Sequence, residues 1–156
     1  MKIMVFLHGT ATKPAKWDLT GQVFSKYEPT GNAVTKIKAW VEQGAQICYL
    51  TSHTDPTKLA IDQKVLDKYG FPQGEIFYRQ NGEAYKDVAE RVMPDILIED
   101  DCESIGGEAE MTYPHIREDL KPKIKSIVVK EFQGIDHLPN SFEKLLNYLT
   151  NTSKVL

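Results

Sequence analysis

Four places in this chain put chemically competent side chains directly behind a short apolar run. Ile3 to Leu7 leads into His8-Gly9-Thr10, and Ile47 to Leu50 into Thr51-Ser52-His53. Ile96 to Ile98 leads into Glu99-Asp100-Asp101, and Ile127 to Val129 into Lys130-Glu131. A hydroxyl backed by the unpaired N–H groups of a turn can hold a phosphate, which makes Thr51 and Ser52 candidate ligand contacts. The same pair also makes an ordinary Ser/Thr turn. Three adjacent carboxylates at a buried strand end repel one another and resist desolvation unless a cation compensates them. Magnesium takes one or two carboxylates plus phosphate and water, so Asp100 and Asp101 are candidate ligands for it. The alternative is that these acids cap a following segment in solvent. His8 can act as acid–base group, metal ligand or hydrogen-bond donor. Lys86 can meet a phosphate as a point charge, or remain a solvated lysine.

The elements that must position these residues are legible from patterning. Continuous apolar runs of this length read as buried parallel strands, and ligands of open α/β sheets bind outside the strands' carboxyl ends. Ala33, Val34, Ile37, Trp40 and Val41 recur at helical spacing, with Gly44 as the stop. Asp55-Pro56 supplies an N-cap and a first-turn proline for a helix with Leu59, Val65, Leu66 and Tyr69 on one face, ended by Gly70. Glu75 to Tyr78 is a short strand. Tyr85, Val88, Ala89 and Val92 mark a helix that Pro94 must end. Phe142, Leu145, Leu146 and Leu149 predict a closing amphipathic helix. Residues 102 to 125 show no clear period. Residues 11 to 30 form a long irregular segment whose Trp17, Phe24 and Tyr27 are either packing groups or a flap over the site. The alternation predicts a three-layer α/β/α fold with a mostly parallel, Rossmann-like sheet. It forms one domain over residues 1–150, followed by a loose tail at 151–156.

Composition narrows the function classes. With 41% hydrophobic and 26% charged residues, the chain is of globular type rather than disordered or fibrous. A net charge of −3 gives no electrostatic reason to expect nucleic acid or an anionic membrane as partner. No apolar stretch approaches the roughly eighteen residues of a membrane span, and Met1 to Leu7 is too short for a signal-peptide core. Cys48 and Cys102 suggest neither a disulfide framework nor a zinc site, so a reduced, cytoplasmic protein is expected.

In order and spacing, these residues resemble the motifs of the haloacid dehalogenase-like (HAD) phosphohydrolase superfamily over nearly the whole chain. Phe6-Leu7-His8-Gly9-Thr10 stands where that family carries a DxDGT-type motif. Thr51 is similar to its second-motif hydroxyl, Lys86 to its lysine, and Asp100-Asp101 to its acidic pair. The span from Thr10 to Thr51 holds one helix, so no large cap domain fits there. The resemblance implies a site binding a phosphorylated small molecule with Mg2+ or another divalent cation, in which Gly9, Thr10, Thr51, Ser52 and Lys86 contact the ligand. It also places Phe6 at the nucleophile and His8 at the acid/base position. Phenylalanine can neither attack phosphorus nor bind a metal, so the standard aspartyl-phosphate route is closed to this chain. Three readings follow.

The first is a degenerate centre that binds without turnover. The second is an active phosphatase or nucleotidase, with His8 and Asp100 as its catalytic residues. Its nucleophile would be His8 itself, or a metal-bound water held by His8, Asp100 and Glu131. The third is a non-catalytic interaction or regulatory protein. An α/β-hydrolase-type esterase, suggested by Leu7-His8-Gly9, is set aside because no G-x-S-x-G elbow occurs. Glu131, Asp136 and His137 have no family role, and neither substrate identity nor oligomeric state is readable.

Overall fold

Five of the apolar runs pair into a single parallel sheet. The computed structural model describes residues 1–15 and 26–149. Strand β1 (Lys2–Phe6) is central, flanked by β4 (Gln46–Leu50) and β6 (Ile96–Asp100), with β5 (Ile76–Phe77) and β7 (Lys125–Val129) at the edges. The order is β5-β4-β1-β6-β7, with Ile3 opposite both Ile47 and Ile96. This register aligns the carboxyl ends of the inner strands.

Burial on both faces explains the unbroken hydrophobicity of these strands. On one face Ile3, Val5, Ile47, Tyr49, Ile96 and Ile98 pack against Ile37 and Trp40 of α1 (Ala33–Glu42), Leu66 of α2 (Pro56–Tyr69) and Leu145 of α4 (Phe142–Leu146). On the other, Met4, Cys48, Leu50 and Leu97 meet Val88 and Ala89 of α3 (Tyr85–Val92), together with Ile116 and Ile124. The molecule is thus the expected three-layer α/β/α arrangement without a large cap domain. Each fully buried Leu or Ile contributes about 1.5–3 kcal/mol relative to an exposed one. No helix among the described residues is long and apolar enough to cross a membrane.

Local signals place the helix ends. Asp55 accepts a hydrogen bond from the Thr57 N–H at 2.9 Å, and Gly70 closes α2 with φ +75°. Three expectations need correction. The closing helix stops at Leu146, and Leu149 is 79% exposed rather than part of an apolar face. Val41 lies at the exposed edge of α1. Within residues 11 to 30, β2 (Thr12–Pro14) and β3 (Tyr27–Pro29) pair as an antiparallel ribbon, so that segment is not wholly irregular. Trp17, Phe24 and the tail at 151–156 lie outside the described residues. The unpatterned stretch 102 to 125 holds three 3-10 turns, too short to generate a hydrophobic period.

Candidate functional site

The strand order brings His8, Ser52, Asp100 and Glu131 to one edge, although they come from four separate parts of the chain. All four line a cavity of about 90 Å3, walled also by Phe6, Tyr27, Tyr85 and Phe132. A wider depression of about 720 Å3 lies at the opposite end of the sheet, near Met1, Asp95 and Lys125. It sits at the amino ends of the strands, away from where open α/β sheets bind ligands.

Asp62, on α2, organises half of the cavity edge. Its Oδ1 accepts from His8 Nε2 at 3.0 Å, and its Oδ2 accepts from the Thr51 hydroxyl at 2.6 Å and from His53 Nδ1 at 2.9 Å. Burial pushes this carboxyl's pKa up, but the bonds from His8, Thr51 and His53 and the attraction of His8 outweigh burial and hold it below the ordinary value. An ionised carboxylate only accepts, so the proton on His8 is on Nε2. In the neutral ring, His8 Nδ1 is then the acceptor for the Ser52 hydroxyl, 2.5 Å away. The result is a continuous Ser52–His8–Asp62 chain of hydrogen bonds that ends on the cavity wall.

Asp100 organises the other half. Its Oδ1 accepts from the Thr10 hydroxyl at 2.7 Å and its Oδ2 from the Cys102 N–H at 3.1 Å. Burial raises its pKa most; the Thr10 and Cys102 bonds lower it and nearby Glu131 raises it again, leaving a net rise. Gly9, at φ +97°, lets the β1 loop pass close over this carboxylate, because a Cβ there would sit 2.9 Å from Asp100 Oδ1. Asp100, Asp101 and Glu131 offer ligand oxygens within 4.8 Å of one another. An all-carboxylate donor set suits a hard cation such as Mg2+. His8, His53 and Asp62 also bring ligand atoms together. There, two ring N–H groups already point at one carboxylate.

The remaining sequence candidates divide. Thr51 is fully buried and its hydroxyl is turned to Asp62, so Ser52 is the hydroxyl that faces the cavity. Thr10 is likewise buried and turned to Asp100. Lys86 stands at the start of α3 as expected, but its ammonium meets Asp87 at 2.9 Å and Glu90 at 3.9 Å, and it is not part of the cavity wall. His8 has both ring nitrogens committed, so a phosphohistidine would first require one of these bonds to break. Asp101 braces the junction after β6 and β7, accepting from the Glu103 and Glu131 N–H groups at 3.2 Å. Glu131 holds the Ser104 N–H and hydroxyl, both at 2.8 Å. Asp136 accepts from the Asn32 N–H at 2.9 Å and so serves the start of α1, while the His137 ring lies 6.4 Å from that of Tyr148.

Two residues of the candidate site escaped sequence reasoning. Asp62 carried a faint signal: it is an acid three and four positions before Val65 and Leu66, on the inward stripe of α2. Arg79 carried none. Its Nη2 donates to the Ser52 carbonyl at 3.0 Å and its guanidinium lies 4.2 Å over the Tyr85 ring, so it ties together two residues of the cavity wall.

The acidic triplet at the end of β6 is split by strand alternation. Glu99 faces away from Asp100 and accepts the Thr112 and Tyr113 N–H groups at 2.6 and 2.9 Å. Burial, only partly offset by these two bonds, pushes its pKa up to about 7. The folded state therefore holds this proton more tightly than the unfolded chain. Its contribution to stability is full below the unfolded pKa and is lost as pH rises through about 7. Relative to the native chain, Glu99→Gln is expected to gain about 3 kcal/mol between about pH 4 and about pH 8. Urea melts of both proteins across that range check this, and a difference that stays constant with pH contradicts it.

Both cysteines are free and buried, and burial, the largest cause in each case, raises both thiol pKa values, Cys48 to about 12. Neither is a ready thiolate nucleophile. No family model matches the chain, and no curated protein matches it.

Proposed function

We propose that this is a HAD-like phosphohydrolase-fold protein with a degenerate catalytic centre, which binds a phosphorylated small molecule together with a divalent cation, Mg2+ being the best fit. The observation that carries this reading is the charge of the cavity wall. Asp100, Glu110 and Glu131 line it, and no lysine or arginine does among the described residues. A phosphate entering alone would meet like charge, so its binding depends on a cation.

Asp100, with Asp101 and Glu131, would hold that cation, which when bound neutralises the ligand's oxygens. The chain's own residues do the rest. Ser52 offers a hydroxyl, the Gly9 backbone closes over the Asp100 carboxylate, and Phe6 packs edge-on to Tyr85 at 5.1 Å, keeping that side of the cavity apolar. The setting we propose is cytoplasmic, with small molecules rather than nucleic acid as partners.

Calorimetric titration with inorganic phosphate tests this reading. Binding is expected in millimolar Mg2+ and is expected to disappear in a chelator. Equal phosphate affinity in both buffers, or no binding in either, overturns it.

A further inference from the structure

We propose that Ser52, His8 and Asp62 form a nucleophile–base–positioning relay that cleaves esters of short carboxylic acids in the cavity beyond β1 and β4. This activity goes beyond phosphate binding and needs no cation. It stands on connectivity: Ser52 Oγ to His8 Nδ1 at 2.5 Å, and His8 Nε2 to Asp62 Oδ1 at 3.0 Å. Asp62 is held anionic and oriented by Thr51 and His53 on its other oxygen, which fixes the His8 tautomer so that Nδ1 is a base toward Ser52. The arrangement is recognised by geometry and role, and here it is built without a nucleophile elbow.

The placement of His8 beside Ser52 suits it to acyl transfer. In-line displacement at phosphorus puts the leaving group opposite the nucleophile, out of reach of a base that sits beside that nucleophile. At an acyl carbon, nucleophile and leaving group share one tetrahedral centre, so His8 can serve both. Ser52 Oγ bonds to the carbonyl carbon as its proton passes to His8 Nδ1. The carbonyl π pair moves onto oxygen, then returns to expel the alkoxide, which takes the proton from Nδ1. Water attacks the acyl-serine next and gives its proton to Nδ1. The Ser52 Oγ–C bond breaks, Oγ recovers the proton, and the carboxylic acid leaves. Tyr85, half-buried in the same wall, is the candidate O–H donor for the charge on the carbonyl oxygen. A volume of about 90 Å3 fits a short acyl group, and the carboxylates lining it favour a neutral or cationic ester.

The test uses the full chain in a chelator, so its outcome does not depend on cation-assisted phosphate binding. A fluorophosphonate probe, whose P–F bond breaks as Ser52 Oγ bonds to phosphorus and fluoride leaves, is followed by peptide mass mapping beside p-nitrophenyl acetate turnover. One adduct on Ser52 that abolishes ester turnover is expected, with neither adduct nor turnover in Ser52→Ala. His8→Gln and Asp62→Asn are expected to slow labelling at least about 10²-fold. Ring 15N shifts read the positioning role separately: the native His8 carries its proton on Nε2, and Asp62→Asn populates the other tautomer. No Ser52 adduct on the native chain, or an Nδ1-protonated His8, overturns the proposal, and both readouts need only the native protein.

Discussion

Replacing Asp62 by alanine is expected to remove about 3–5 kcal/mol of folding stability, because breaking a buried charged pair strands its partners. Three side-chain donors converge on this one carboxylate, from the β1 end (His8), the β4 end (Thr51) and the following turn (His53). Deleting it leaves two ring N–H groups and a hydroxyl without their acceptor in a site that water barely reaches. The sign with pH follows from the lowered carboxyl pKa. Asp62 stabilises the fold above its unfolded pKa, and that contribution is lost as pH falls through the lower folded value. Asp62→Asn keeps the shape and one acceptor, so it should cost less, and its deficit should shrink on acidification below about pH 4. Urea denaturation of the two variants measures both effects. A cost under about 1 kcal/mol for Asp62→Ala would reduce these contacts to the level of an ordinary hydrogen bond.

The second large effect separates binding from stability. Asp100→Asn is expected to weaken divalent-cation binding at least about tenfold while leaving the melting temperature at or above that of the native chain. The carboxylate is buried, and burial with help from Glu131 pushes its pKa up despite the bonds from Thr10 and Cys102, so its charge is a strain on the fold. An asparagine can take over both contacts. Its oxygen accepts the Cys102 N–H, and its NH2 donates to the Thr10 hydroxyl, which can act as acceptor as readily as donor. Calorimetry with Mg2+ and differential scanning calorimetry on the same samples are the measurements. A variant that unfolds early, yet binds Mg2+ normally, would assign Asp100 to the scaffold instead.

The parts of the molecule that patterning revealed are those where one local rule acts alone. Ile3 to Leu7 and Ile96 to Ile98 read as strands because both faces of the sheet are buried, and Asp55-Pro56 and Gly70 fixed the ends of α2 because capping is a short-range effect. The edge that carries the site was legible for the same reason, since the polar residues follow the strands directly. Its wiring was not. Whether a hydroxyl points into the cavity or beneath it depends on strand parity and on helix packing, so of the two expected ligand contacts Ser52 lines the cavity and Thr51 is turned to Asp62. Asp62 lies on α2, and only the docking of α2 on the sheet brings it to His8. Arg79 reaches Ser52 from beyond the edge strand β5, a contact that no spacing along the chain encodes.

Backbone amide chemical-shift mapping during titration with Mg2+ and inorganic phosphate tests most directly whether the carboxyl edge of the sheet is the functional site. The shifts should concentrate at Ser52, Asp100 to Cys102 and Glu131 around the cavity, and at Gly9 and Thr10, which lie against Asp100. Shifts confined to the far end of the sheet, around Asp95 and Lys125, would contradict the assignment.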